Sequence, residues 1–96
     1  MILRERQTRE GLLVAVCDSD VLGETFENGE VSITVNEEFY GGEEASRETV
    51  ISSLTRASIA NIVGTESVDV AIEAGIIDQE NVLEIGATRH AQLVRI

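Results

Sequence analysis

At 96 residues the chain has room for one domain, residues 1–96, and an apolar share of 43% with only Phe26, Phe39 and Tyr40 as aromatics calls for a core of valine, isoleucine, leucine and alanine, not for disorder. A net charge of −11 opposes unaided binding to nucleic acid or an anionic membrane, and no apolar run approaches the roughly 18 residues of a membrane span. The single cysteine, Cys17, excludes an internal disulfide and a cysteine-cluster metal centre, and points to a reducing, cytoplasmic setting.

Residues 2–8 set Ile2, Arg4, Arg6 and Thr8 against Leu3, Glu5 and Gln7, the period of a half-exposed or edge strand, and Arg9-Glu10-Gly11 turns the chain. Leu12 to Cys17 is apolar on both faces, as a central strand covered on two sides must be, and forms a hairpin with the first strand. Asp18-Ser19-Asp20 ends it, because short polar side chains capture their own backbone. After Asn28-Gly29, the alternation Val31-Ser32-Ile33-Thr34-Val35 predicts a third strand.

Gly41-Gly42 breaks the chain before a helix expected over 44–57, where Val50, Ile51, Leu54 and Ala57 share a face and Ser46 is the candidate N-cap. Ile59-Ala60-Asn61-Ile62-Val63, β-branched and closed by Gly64, reads as a short buried strand in preference to a helix extension. Thr65 is expected to cap a second helix over 65–75, with Val68, Ala71 and Ile72 inward and Gly75 as its stop. A turn at 78–81 leads to strands at 82–85 and 91–96, joined by a loop over 86–90. The expected fold is α+β: a small mixed, mostly antiparallel sheet with two helices, in the order βββαβαββ.

The chain has no lysine, and five of its seven arginines, Arg4, Arg6, Arg9, Arg89 and Arg95, lie within ten residues of an end. Against Glu5 and Glu10 they give those two segments a balance of +3, whereas two arginines and sixteen carboxylates give residues 11–86 a balance of −14. If the first and last strands pair, Arg4, Arg6, Arg89, His90 and Arg95 form one basic patch that suits a phosphate, a carboxylate or an acidic partner. The competing expectation is a set of surface ion pairs with neighbouring glutamates.

Phe39-Tyr40-Gly41-Gly42 is a candidate interface if a ring is exposed; otherwise the glycines turn the chain and the aromatics anchor it. Glu43 and Glu44 directly after it would repel a phosphate at the following helix. His90, the sole histidine, has no second imidazole or nearby thiolate for a zinc site, which leaves it a surface residue or a general base. Cys17 inside the most apolar strand is expected to be a buried hydrophobe and not a nucleophile. No nucleotide-binding glycine motif and no EF-hand pattern occurs, and no cofactor or metal is expected.

Leu13-Val14-Ala15-Val16-Cys17-Asp18, Phe39-Tyr40-Gly41-Gly42, Ile59-Ala60-Asn61-Ile62-Val63-Gly64 and the closing His90-Ala91-Gln92 resemble an archaeal family of small proteins known as a domain of unknown function. The resemblance runs nearly end to end. It implies an archaeal cytoplasmic source, and the acidic, lysine-free composition resembles that of a salt-accumulating thermophilic methanogen. It implies no activity and no catalytic residues. Where related proteins usually have lysines and a proline before the histidine, this chain has no lysine and has Arg89 before His90.

The leading functional expectation is a non-enzymatic binding or adaptor module with an arginine patch, possessing a protein or ribonucleoprotein partner, no membrane contact, and a homodimeric state favoured by the edge strands of so small a sheet. One alternative is an RNA- or translation-associated partner protein. Another is a small enzyme that acts on an anionic substrate through His90.

Overall fold

The computed structural model describes residues 1–95 and shows an α+β architecture whose main sheet is mostly antiparallel. Strand β1 (Ile2–Thr8) and β2 (Gly11–Cys17) form the predicted hairpin. A second hairpin, β3 (Thr25–Asn28) and β4 (Val31–Thr34), is followed by a single helical turn, α1 (Glu37–Tyr40), and a two-residue edge strand, β5 (Glu43–Glu44). Helix α2 (Arg47–Arg56), β6 (Ile59–Val63), α3 (Thr65–Glu73), β7 (Leu83–Ile85) and β8 (Thr88–Val94) complete the chain.

The six-stranded sheet runs β5-β1-β2-β6-β8-β7, and β3 and β4 form a separate two-stranded sheet. Among the described residues only β2 and β6 pair in parallel, with helix α2 in the connection between them. Residues paired across strands share a face, so the register separates two surfaces. On one, Val14, Val16, Ala60, Ile62 and Ala91 pack against Val50 and Leu54 of α2 and Val68 and Ala71 of α3. On the other, Ala15, Cys17 and Val63 lie under Val35 and Tyr40, with Phe26, Ile33 and Phe39 at the margin. Strand β2 is fully buried over Val14–Cys17 for this reason.

Several boundaries differ from the sequence reading. The strand expected at 31–35 finds its partner in Thr25–Asn28, which carries no alternating apolar stripe of its own. Helix α2 begins at Arg47, where the Ser46 side chain accepts from the Thr49 N–H at 3.2 Å, and Glu43 and Glu44 pair with β1 instead of joining it. A third, single-turn helix is present because Asn36 caps Phe39 N–H at 2.8 Å. The loop expected over 86–90 is a tight turn at Gly86-Ala87, so Thr88, Arg89 and His90 belong to β8. Ile96, placed in the last strand from sequence, lies outside the described residues.

Candidate functional site

The terminal strands do not meet: β2 and β6 stand between β1 and β8. The register moreover divides the five basic residues expected to form one patch between the two faces of the sheet. Arg4 and Arg6 share a face with His90, whereas Arg89 points to the helical side with Ala91. Arg89 reaches Asp69 of α3. Arg95, just past β8, donates to the carbonyls of Leu54 (2.9 Å), Thr55 (3.3 Å) and Ala57 (2.7 Å) at the end of α2, where Leu54 O also accepts the Ala57 N–H at 3.3 Å.

Arg4 and Arg6 are likewise spent on main chain. Arg4 donates to Gly41 O at 3.0 Å, and Arg6 donates to Phe39 O at 3.1 Å and to Glu38 O, with its guanidinium 5.1 Å from the Phe39 ring centroid. These contacts tie α1 to the β1 edge. Tyr40 is buried and meets Phe39 edge to face, with centroids 5.0 Å apart, while Phe39 is only partly covered. The two glycines allow the close approach. A Cβ at Gly42 would stand 2.1 Å from Leu3 O, and one at Gly41 2.4 Å from Glu37 O. The aromatic-glycine segment thus acts as an anchor, with the Phe39 ring and Arg6 left at its rim.

What the register does assemble is a face on which β1, β2, β6, β7 and β8 set no carboxylate. Cross-strand rows place Ile2, Cys17, Val63, His90 and Leu83 together, then Arg4, Ala15, Asn61 and Gln92, then Arg6, Leu13, Ile59 and Val94. Apart from Glu44 on the two-residue strand β5, where its carboxylate accepts from Ser19 Oγ at 2.7 Å, the sheet puts no aspartate or glutamate on this side. The chain carries eighteen such residues.

The hairpin β3/β4 and α1 cover only part of the face, the end holding Ala15, Cys17 and Val63. Leu13, Ile59, Asn61 and His90 are half-buried, Gln92 is exposed, and Val94 and Leu83 are 62% and 59% exposed. The side chains of Asn61, His90 and Gln92 have no hydrogen-bond partner among the described residues. Burial holds the His90 imidazole below its ordinary pKa, and no carboxylate orients it. Cys17, at the covered end, has its thiol pushed up to about 11 by burial and, less strongly, by the neighbouring Asp18 charge.

Sequence reasoning passed over Asn61 and Gln92. The available signal was the amide of Asn61 within an otherwise apolar strand, since a strand buried on both faces does not tolerate an unpartnered amide.

A second feature lies at the carboxyl ends of the parallel strands β2 and β6, where sheets of this kind often bind ligands. Asp18 accepts from Glu66 N (3.1 Å), Ser67 N (2.8 Å) and Ser67 Oγ (2.7 Å) and so occupies the N-terminus of α3 itself. Thr65, expected as the cap, is the first helical residue instead. The crevice beside it, about 710 Å³, is lined by Asp20, Glu66, Asp69 and Glu73 among others, with Arg47 held by Glu73 at 3.0 Å. An anion is repelled from it. Among the described residues no three histidine, cysteine, aspartate or glutamate side chains converge on a metal-sized site, and no helix is long and apolar enough to cross a membrane.

A solved structure, an uncharacterized conserved protein from Methanopyrus kandleri, is similar to this chain with a TM-score of 0.79 and 21% identity, over 96% of this chain and 88% of that one. That likeness is one of fold. No curated protein matches the chain. A family profile described as protein of unknown function (DUF424) matches residues 5–96, a span that contains every stretch on which the family resemblance was drawn. The chain belongs to that family of proteins of unknown function (DUF424).

Proposed function

We propose that the protein is a non-enzymatic binding module of the cytoplasm that docks a protein partner on the open half of its carboxylate-free sheet face. The observation that carries this reading is the segregation of charge: a body of −11 reserves one side of its sheet for aliphatic, amide, arginine and histidine side chains. Interface centres are depleted of carboxylates and lysine and hold apolar groups among neutral hydrogen-bonding ones, with arginine and aromatics enriched. Leu13, Ile59 and Val94 with Asn61 and Gln92 have that composition, and the Arg6/Phe39 pair stands at the edge. The lone buried thiol fits a reducing compartment.

The arginines are fasteners here, not a phosphate clamp, because Arg4, Arg6, Arg89 and Arg95 all bond to groups of the protein itself. That disfavours a nucleic-acid partner, which needs free guanidinium groups. An enzymatic role for His90 has no neighbouring acid to pair with the imidazole. The test is partner capture from the native source at native ionic strength with wild type, Val94→Glu and, as a helix-face control, Glu48→Gln. Capture lost only in Val94→Glu supports the reading, and capture indifferent to Val94→Glu rejects it.

A further inference from the structure

We infer that the occupant of the open half of the sheet face is a second copy of this chain, packed about a two-fold axis through Leu13, Ile59, Asn61, Gln92 and Val94. This rests on the docking reading above and names its partner. Two bodies that each carry −11 repel over most of their surfaces. On the open half of the sheet face the strands themselves bring no carboxylate, since the glutamates of that side, Glu27, Glu37, Glu38 and Glu44, stand on β3, α1 and β5 at its other half.

The patch is also self-complementary. A two-fold contact presents the same patch to itself, so its side chains must be able to pair with their own kind. Aliphatic groups can, and so can the amides of Asn61 and Gln92, each of which is both donor and acceptor. These two residues sit directly opposite one another on β6 and β8 and lack intramolecular partners among the described residues. A patch shaped for a foreign charged partner would instead display one sign of free charge.

Edge-to-edge pairing through β1 is less favourable than face-to-face packing. Beyond Leu3, the outer edge of β1 has no strand beside it among the described residues, and two-fold antiparallel pairings of two β1 edges centred on Glu5 or Arg6 oppose Arg4 to Arg6 with Glu5 to itself, or Arg6 to Arg6. Like charges directly across strands are destabilising, so those central registers are disfavoured. A second sheet laid over the open half, at roughly the 10 Å spacing of packed sheets, sets aliphatic and amide side chains against their own kind.

Sedimentation equilibrium of the full chain across protein and salt concentration tests the inference. The expected result is a monomer–dimer equilibrium that tightens as salt rises, because screening weakens repulsion between the acidic bodies while the contact itself is uncharged. Val94→Glu and, independently, Gln92→Glu are expected to weaken dimerisation by at least about tenfold, since each buries a carboxylate against its own copy. Both sites are exposed in the monomer, so circular dichroism should be unchanged.

A wild-type chain that stays monomeric, a dimer indifferent to both variants, or a dimer that loosens with salt overturns the inference. If the chain is monomeric but partner capture still depends on Val94, the docking face stands and the second copy falls. A monomer that binds a single-stranded oligonucleotide, less tightly as salt rises, assigns the face to nucleic acid instead. Monomeric behaviour with capture indifferent to Val94 removes both readings.

Discussion

The carboxylate of Asp18 occupies the space that a side chain at Gly64 would need: a Cβ built on Gly64 stands 2.2 Å from Asp18 Cγ. Gly64 also holds φ at +118°, a region that residues with a Cβ rarely adopt. The ends of the parallel strands β2 and β6 are thus closed on each other, with Asp18 supplying the cap that α3 lacks locally. Asp18→Ala is expected to cost about 1–3 kcal/mol, the loss of a cap together with an unpaired Ser67 hydroxyl. Gly64→Ala alone should cost more, and in the Asp18→Ala background less than it does alone, because the steric part of its penalty is gone. Urea unfolding of the two single variants and the double measures that coupling, and strict additivity would disprove the contact.

A helix terminus shows the same device at the other end of the chain. Arg95 reaches the carbonyls of Leu54, Thr55 and Ala57, so Arg95→Leu should lower stability by about 1–2 kcal/mol through the loss of charge-assisted bonds to acceptors that water replaces poorly. Arg95→Lys should recover part of this, since an ammonium keeps the favourable charge at the helix end but not the planar reach across several oxygens. Full recovery by lysine would mean that charge alone matters.

The contrast between what could be read early and what could not follows from range. Strands β1 and β2, the Ser46 cap, β6 and the stop at Gly75 were legible because period, cap and punctuation are local. The hairpin β3/β4 was half-legible: Val31–Thr34 alternates, but Thr25–Asn28 earns its strand only by pairing with it. The arginine patch failed for a non-local reason. Whether Arg4 and Arg89 share a surface depends on strand order, which inserts β2 and β6 between their strands, and on register, which puts them on opposite faces. The carboxylate-free face is invisible in sequence because its members come from five strands and acquire a common side only through register.

His90 makes stability depend on pH with a definite sign. Burial lowers its pKa in the folded state below the ordinary imidazole value, so between the two values the unfolded chain binds a proton that the folded chain does not. The stabilisation is complete above the ordinary value, near 6.5, and is lost as pH falls through it towards the folded one. Denaturant midpoints at about pH 7.5 and 5.5 should differ in that direction, and His90→Gln should flatten the difference over this window. The groups facing His90 across the strands are Val63 and Leu83, neither of which titrates.

Thr88 offers a test with the opposite outcome. Its hydroxyl is buried, 3% exposed, and finds no partner among the described residues, so the side chain carries the cost of a polar group without its return. Thr88→Val keeps the shape and removes the orphan. Stability should be unchanged or higher by up to about 1–2 kcal/mol. A clear loss in thermal unfolding would show that the hydroxyl is bonded in solution.

Arg4 and Arg6 decide between a fastening role and a free cationic patch. Were they a solvent-facing patch, replacing both by serine would leave the melting temperature where it was. Bonded instead to Gly41, Phe39 and Glu38, and with Arg6 over the Phe39 ring, they hold α1 and its two aromatics against the sheet. Arg6→Ser should therefore cost about 1–2 kcal/mol, the sum of carbonyl bonds and a partly exposed cation–π contact, which for a domain of this size lowers the melting point by roughly 4–15 °C. Arg9→Ser, in the exposed β1/β2 turn, is the matched control and should change it little. The same pair of variants separates fastening from docking. An Arg6→Ser chain that melts early yet dimerises normally at low temperature assigns the residue to the fold, and one that melts normally but no longer associates assigns it to the interface.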